Sequence, residues 1–191
     1  MDTVIVGLGN PGAEYEATRH NVGFMIVDRL VQRCQGRWKK QGAARVARVC
    51  LHDVSFWCIK PETFMNLSGN AVRGFLSREA PKQLIIVHDE LDLEVGILRL
   101  KCGGGTGGHN GLKSLKEQLG PLMEQAWRLR FGIGHPGSKS LVSDYVLSAF
   151  VRDEQVLKAE TIERAVDTLG EMLVTTDYAR IVGALHAPQK E

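Results

Sequence analysis

Apolar residues fill positions 4–6 and a β-branched threonine precedes them, which predicts a strand buried on both faces. Gly7-Leu8-Gly9-Asn10-Pro11-Gly12 then breaks it into a loop. From Asn21 the period lengthens. Val22, Met25, Ile26 and Leu30 recur at helical spacing, so an amphipathic helix is predicted up to about Gln35-Gly36. Alternation returns over 45–51 and 54–59, two strands joined through His52-Asp53 as a hairpin and ended by Pro61. Ala71, Val72, Phe75 and Leu76 mark a short helix, with Asn66 or Ser68 as its expected cap.

Residues 84–87 read as a second fully buried strand, with His88-Asp89-Glu90 at its carboxyl end. Residues 97–101 and 127–133 alternate as strands, Asn110–Leu119 reads as a short helix, and 156–174 as a long amphipathic one. Strands interleaved with helices predict a single α/β domain spanning 1–191, a twisted mixed β-sheet flanked by helices in three layers, α/β/α. No linker, internal repeat or low-complexity stretch interrupts it.

Composition narrows the class without naming a function. The chain has 191 residues, 43% hydrophobic and 24% charged, which is ordinary for a globular protein and disfavours disorder, collagen and coiled coil. Its purely apolar stretches are a few residues long, far below the ~20 that a membrane helix needs. The start of the chain shows no basic n-region or apolar h-region of a leader, and the four cysteines form no C-x-x-C pair, so neither a zinc site nor a disulfide framework is expected. A cytoplasmic protein with reduced thiols is the expectation.

Net charge is only +2, but it is unevenly spread. Residues 29–48 hold seven basic side chains and no acid, read first as a solvated face. Residues 95–139 hold seven more, including Lys101 and Arg130, against Glu117 and Glu124. This second run surrounds Gly103, Gly104, Gly105, Gly107, Gly108 and Gly111. Basic groups beside a glycine-rich loop suit a phosphate-bearing ligand or nucleic acid. By contrast, residues 141–191 carry nine acids and five bases.

Gly7-x-Gly9-x-x-Gly12 matches a dinucleotide fingerprint, which requires a helix opening at its third glycine. Two acids, Glu14 and Glu16, stand where a pyrophosphate would approach. No G-x-S-x-G, H-E-x-x-H or Walker motif is present, so nucleophilic-serine, zincin and P-loop chemistries recede. What remains is His20-Asn21 after the first glycine loop, His88-Asp89 at a strand end, and His109-Asn110 closing the second glycine loop. A histidine oriented by a carboxylate can activate water. Asparagines such as Asn10 and Asn66 either serve turns and caps or donate to an oxyanion, and spacing alone does not choose.

Six blocks taken together resemble one family. They are Gly7-Leu8-Gly9-Asn10-Pro11-Gly12, Thr18-Arg19-His20-Asn21, Thr63-Phe64-Met65-Asn66-Leu67-Ser68-Gly69, His88-Asp89-Glu90-Leu91-Asp92-Leu93, Gly107-Gly108-His109-Asn110-Gly111, and Arg130-Phe131-Gly132-Ile133-Gly134-His135-Pro136. In this order they resemble the bacterial-type peptidyl-tRNA hydrolases. The resemblance implies hydrolysis of the ester that joins a peptide to the 3′ ribose of tRNA, with no metal or cofactor, in a monomer whose partner is peptidyl-tRNA. It implies His20 as general base, with Asp89 holding it. Asn10 would read the blocked amide, and Asn66, His109 and Asn110 would contact substrate. Tyr15 and Phe64 would meet the tRNA 3′ end, and Lys101 and Arg130 its phosphates. Two other classes stay open at this point: an RNA-binding module without catalysis, and a nicotinamide-dependent oxidoreductase on the first glycine loop.

Overall fold

In the computed structural model, which describes residues 2–77 and 80–187, the chain forms a seven-stranded mixed sheet with helices on both faces. The predicted extent 1–191 therefore includes residues 1, 78–79 and 188–191, which lie outside the described residues. In chain order the elements are β1 (Thr3–Gly7), α1 (Val22–Arg33), β2 (Lys39–Gln41), β3 (Ala44–Leu51), β4 (Val54–Pro61), α2 (Ser68–Leu76), β5 (Gln83–Glu90), β6 (Leu98–Cys102), α3 (Asn110–Leu119), α4 (Pro121–Gln125), β7 (Trp127–Gly132), α5 (Val142–Val146), α6 (Gln155–Val174) and α7 (Tyr178–His186).

The strands lie in the order β2-β3-β4-β1-β5-β7-β6. The four in the middle, β4, β1, β5 and β7, are parallel, whereas β2, β3 and β6 are added antiparallel at the two edges. The uniform apolar runs of β1 and β5 follow from this placement, because both faces of each strand are covered. Ile5, Ile85 and Val87 point to α1, α6 and α7, where Ile26, Leu30, Leu169 and Ile181 meet them. Val4, Val6, Leu84 and Ile86 point the other way, to Val72 and Phe75 of α2 and Leu112 and Leu115 of α3. The β3–β4 hairpin turns at His52 and Asp53, both at positive φ (50° and 62°), as a primed two-residue turn requires.

Chain order creates the crevice. From β1 the chain reaches β4 on one side and then crosses to β5 on the other. The carboxyl ends of β1 and β5 thus flank a topological switch point, where open α/β sheets bind ligands. The close approach of α1 to β1 tightens this end: a Cβ on Gly7 would lie 2.4 Å from the Gly23 carbonyl oxygen and 2.6 Å from Val27 Cγ2.

Two expectations change. Neither Asn66 nor Ser68 caps α2. The chain enters that helix through a 3-10 turn, Met65–Leu67, which leaves no extended residue to bend a side chain back, and Ser68 Oγ is buried without a hydrogen-bond partner. The basic run 29–48 is not merely a solvated face. Arg29 and Arg33 of α1 reach Glu163 and Asp167 of α6 at 2.5–2.6 Å, and Arg45 reaches Glu62 at 2.5 Å.

The Gly7 contact yields the first prediction. Gly7→Ala overpacks the α1–β1 junction and lowers stability by about 1–3 kcal/mol, read as a reduced urea midpoint at unchanged m-value. A wild-type midpoint contradicts the close approach.

Candidate active site

Three loops and one strand end converge at the carboxyl edge of the sheet. Leu8 continues the β1–β5 pairing by donating its N–H to Val87, which delivers Asn10 to the crevice. Asn10 is then locked by the Asn21 side chain and a neighbouring loop. Its N–H donates to Asn21 Oδ1 (2.8 Å), Asn21 Nδ2 donates back to the Asn10 carbonyl (2.9 Å), and Asn10 Oδ1 accepts from the Met65 N–H (2.8 Å). With Oδ1 spent on Met65, Nδ2 is the donor the side chain has left.

His20 sits in the 3-10 turn Arg19–Asn21 just before α1. Its Nδ1 lies 2.9 and 3.0 Å from the two carboxylate oxygens of Asp89, which β5 carries to the same place. A carboxylate only accepts, so Nδ1 bears the proton and Nε2 keeps its lone pair when the ring is neutral.

His109 reaches the same carboxylate from the glycine-rich loop, with Nε2 2.9 Å from Asp89 Oδ1. Its Nδ1 accepts from the N–H groups of Gly111 and Leu112, capping α3. Both ring nitrogens are therefore engaged within the protein, although the sequence reading places His109 against substrate. This double use of Asp89 was invisible in the sequence.

Asp89 is 3% exposed. Burial would raise its pKa, but the adjacent His20 and His109, by charge and hydrogen bond, hold it far below the ordinary carboxylate range. For His20 burial pulls the pKa down, and the Asp89 charge and hydrogen bond more than offset that, so the net shift is upward.

His88 behaves differently. Its Nδ1 donates to the Asp89 carbonyl (2.7 Å), its Nε2 is buried without a partner, and burial, aided by His109, lowers its pKa to about 3. The ring stays neutral and turned inward. Of the three histidines that the sequence leaves standing, only His20 combines a carboxylate on one nitrogen with an uncommitted second nitrogen.

The ligand atoms of His20, Asp89 and His109 all lie within 4.8 Å of one another, which is metal-site spacing. Protonation argues against that use. Because His109 Nδ1 accepts two backbone N–H bonds, its proton sits on Nε2, the atom facing Asp89. A metal would have to displace that proton or drive it onto Nδ1, against two N–H donors. The donor set fits a hydrogen-bonded trio better than a metal centre.

Asn66 lies exposed on the Met65–Leu67 turn, and Asn110 is the exposed first residue of α3. Phe64 is 56% exposed, and the half-buried Tyr15 meets it edge-on with ring centroids 6.2 Å apart.

The β6–β7 register sets Lys101 opposite Arg128 and Arg99 opposite Arg130. Lys101 is exposed, and Arg130 Nε pairs with Glu90 at 2.9 Å, a partner the sequence reading did not assign. Arg128 is buried instead. Its guanidinium donates to the carbonyls of Gly103 and Gly105 and so anchors the loop that carries His109. Gly103 makes that loop possible, since its φ is +58° and a Cβ there would lie 2.4 Å from the Glu124 carbonyl oxygen.

The first glycine loop does not behave as a dinucleotide site. A 3-10 turn, Ala13–Tyr15, follows Gly12, and α1 begins only at Val22. No helix N-terminus stands at the third glycine to receive a pyrophosphate.

Comparison with known proteins points the same way. The family described as Peptidyl-tRNA hydrolase matches residues 4–191. A relative of that name from Nitrosomonas europaea is 43% identical over 191 residues, covering 98% of this chain and 96% of the relative. One from Neisseria meningitidis is 48% identical over 149 residues, covering 76% of this chain and 77% of the relative. The crystal structure of peptidyl-tRNA hydrolase from Acinetobacter baumannii superposes with a TM-score of 0.90 at 38% identity, covering 98% of this chain and 96% of that one. Matched along nearly its whole length in sequence and in fold, the chain belongs to the peptidyl-tRNA hydrolase family.

Proposed function

We propose that this chain hydrolyses the ester between a peptide and the 3′ ribose of tRNA, with His20 as general base and Asp89 as the group that orients it and strengthens it as a base. The observation that carries the reading is the His20 Nδ1–Asp89 contact at 2.9 and 3.0 Å, which leaves Nε2 with its lone pair. Water gives a proton to Nε2 as its oxygen attacks the ester carbonyl carbon. The oxyanion takes hydrogen bonds from side-chain amides of the cleft. As the carbonyl re-forms, the bond to the ribose oxygen breaks, and that oxygen takes the proton back from Nε2. An ester is activated enough that a base, an oriented water and amide donors suffice without a covalent intermediate.

The rest of the rim supplies recognition. Asn10 Nδ2 stands ready to read the carbonyl of a blocked amino group, and Asn66 and Asn110 bind the peptide backbone or the attacking water. Tyr15 and Phe64 offer ring faces and edges to unstacked bases of the tRNA 3′ end. Lys101 and Arg130 contact phosphate, which reads no sequence and so admits many tRNAs. The enzyme acts as a cytoplasmic monomer on peptidyl-tRNA. No helix among the described residues is long and apolar enough to cross a membrane.

His20→Ala should lower turnover of an N-acetyl-aminoacyl-tRNA by about 10²–10⁴-fold, in quench assays run with and without EDTA; retained turnover overturns the assignment. Asp89→Asn removes the charge that raises the His20 pKa, leaves at best a weaker neutral hydrogen bond to the amide oxygen, and keeps the burial that lowers it. Protonated His20 is inactive, so the acid limb of kcat/KM lies above the ordinary imidazole value of about 6.5 in the native enzyme. In Asp89→Asn it moves to lower pH, with a reduced plateau; an unmoved limb contradicts the pairing.

Lys101→Ala and Arg130→Ala should each raise KM and reduce the slope of log KM against log salt by about 1, with kcat little changed. Unaltered salt slopes place the phosphate contacts elsewhere.

A further inference from the structure

Arg19 precedes His20 and is 3% exposed. Its guanidinium lies 4.5 Å from the ring centroid of Tyr145 and 4.7 Å from that of Phe150. Nη2 pairs with Glu154 Oε2 at 2.6 Å, and Nη1 donates to the Ile133 carbonyl at 3.2 Å and to Glu154 Oε1 at 3.3 Å. Nε has no partner. The acceptors are themselves fixed: the Tyr145 hydroxyl donates to the same Ile133 carbonyl (2.5 Å), and Glu154 Oε2 also accepts the Val151 N–H (2.9 Å).

Apolar side chains in place of both Arg19 and Glu154 would fill this aromatic cage without burying a charge or orphaning Nε. Well-packed apolar replacements of whole buried ion pairs are often neutral or stabilising, so cohesion alone does not account for a charged pair here. What the fork adds is direction. The Ile133 N–H donates to the Glu90 carbonyl at 3.1 Å, one residue beyond Asp89. Contacts therefore close a ring: His20 is bonded to Arg19, Arg19 holds the Ile133 carbonyl, the Ile133 amide holds Glu90, Glu90 is bonded to Asp89, and Asp89 accepts from His20. The main chain supports the same side, since the Arg19 N–H donates to Ser148 and Thr18 pairs with Ala149.

We propose that Arg19 is a positioning residue for the His20–Asp89 pair: through Ile133 and Glu154 it sets the distance between the 3-10 turn bearing the histidine and the end of β5 bearing the carboxylate. The inference rests on the His20 reading above. Arg19 touches neither substrate nor the reacting atoms, so its loss acts on kcat and leaves KM nearly unmoved. Displacements of about 1 Å at a catalytic group cost up to about 10²-fold.

The test compares Arg19→Leu, Arg19→Lys, Glu154→Gln and His20→Ala with the native enzyme on N-acetyl-aminoacyl-tRNA, at a temperature where circular dichroism shows each variant folded. Arg19→Leu should lose about tenfold or more in kcat at constant KM. Arg19→Lys should recover part of it, and Glu154→Gln should fall between. The downfield Nδ1 proton of His20 should exchange with solvent faster in Arg19→Leu and Glu154→Gln. A folded Arg19→Leu with native kcat and native proton exchange overturns the inference, whatever its melting temperature. Should Arg19→Leu not fold, Glu154→Gln decides on the same two readouts. If His20→Ala keeps turnover, the base assignment itself fails; if it loses turnover while Arg19→Leu does not, only the positioning role fails.

Discussion

A carboxylate buried between two imidazoles is the constraint around which this end of the molecule is arranged. Asp89 is removed from water almost completely, and its charge is tolerable only because His20 and His109 both donate to it. Deleting one partner of such a buried pair costs about 3–5 kcal/mol. The strand end, the 3-10 turn and the glycine-rich loop must therefore meet with hydrogen-bonding accuracy. The same contact that keeps Asp89 ionised makes His20 a stronger base and aims its free nitrogen away from the carboxylate.

Each of the three meeting segments has its own device. β5 runs through Glu90, so Asp89 is held in ladder pairing with Phe131 of β7. The loop before α3 bends through glycines at positive φ, and the buried Arg128 ties down two of its carbonyls. The turn bearing His20 is fastened to the loop after β1 by the reciprocal Asn10–Asn21 amide contacts and to the segment 133–154 by Arg19. Positive charge in this chain thus has distinct employments. Arg19 and Arg128 are structural pegs, Arg29 and Arg33 clip α1 to the acidic α6, and Lys101 stays exposed.

Much of this fold was legible in periodicity. β1, α1, the β3–β4 hairpin, β5, α3, β7 and α6 announce themselves because each buries a regular apolar face, and their observed ends fall within a few residues of the expected ones. β2 does not: Lys39–Gln41 is wholly exposed and carries no apolar alternation, so it exists only by pairing with β3. α4 and α5 are single turns too short for a period. α7 did leave a signal, since Asp177 accepts from the Arg180 N–H as its cap.

The site was legible as a list of residues but not as a network. His20 and Asp89 are 69 positions apart and His109 a further 20, so no local pattern says that one carboxylate serves two rings. Nor does alternation distinguish Arg128 from Arg130, which share a face of β7; only the glycine-rich loop folding over one of them separates a buried anchor from a cation paired with Glu90. The measurement that bears most directly on the account is a nitrogen-15 NMR titration of the histidine rings. It should show neutral His20 as the Nδ1–H tautomer titrating above about 6.5, His109 as the Nε2–H tautomer, and His88 neutral throughout the range in which His20 titrates. A neutral His20 carrying its proton on Nε2 would contradict the account, because no lone pair would then face the water.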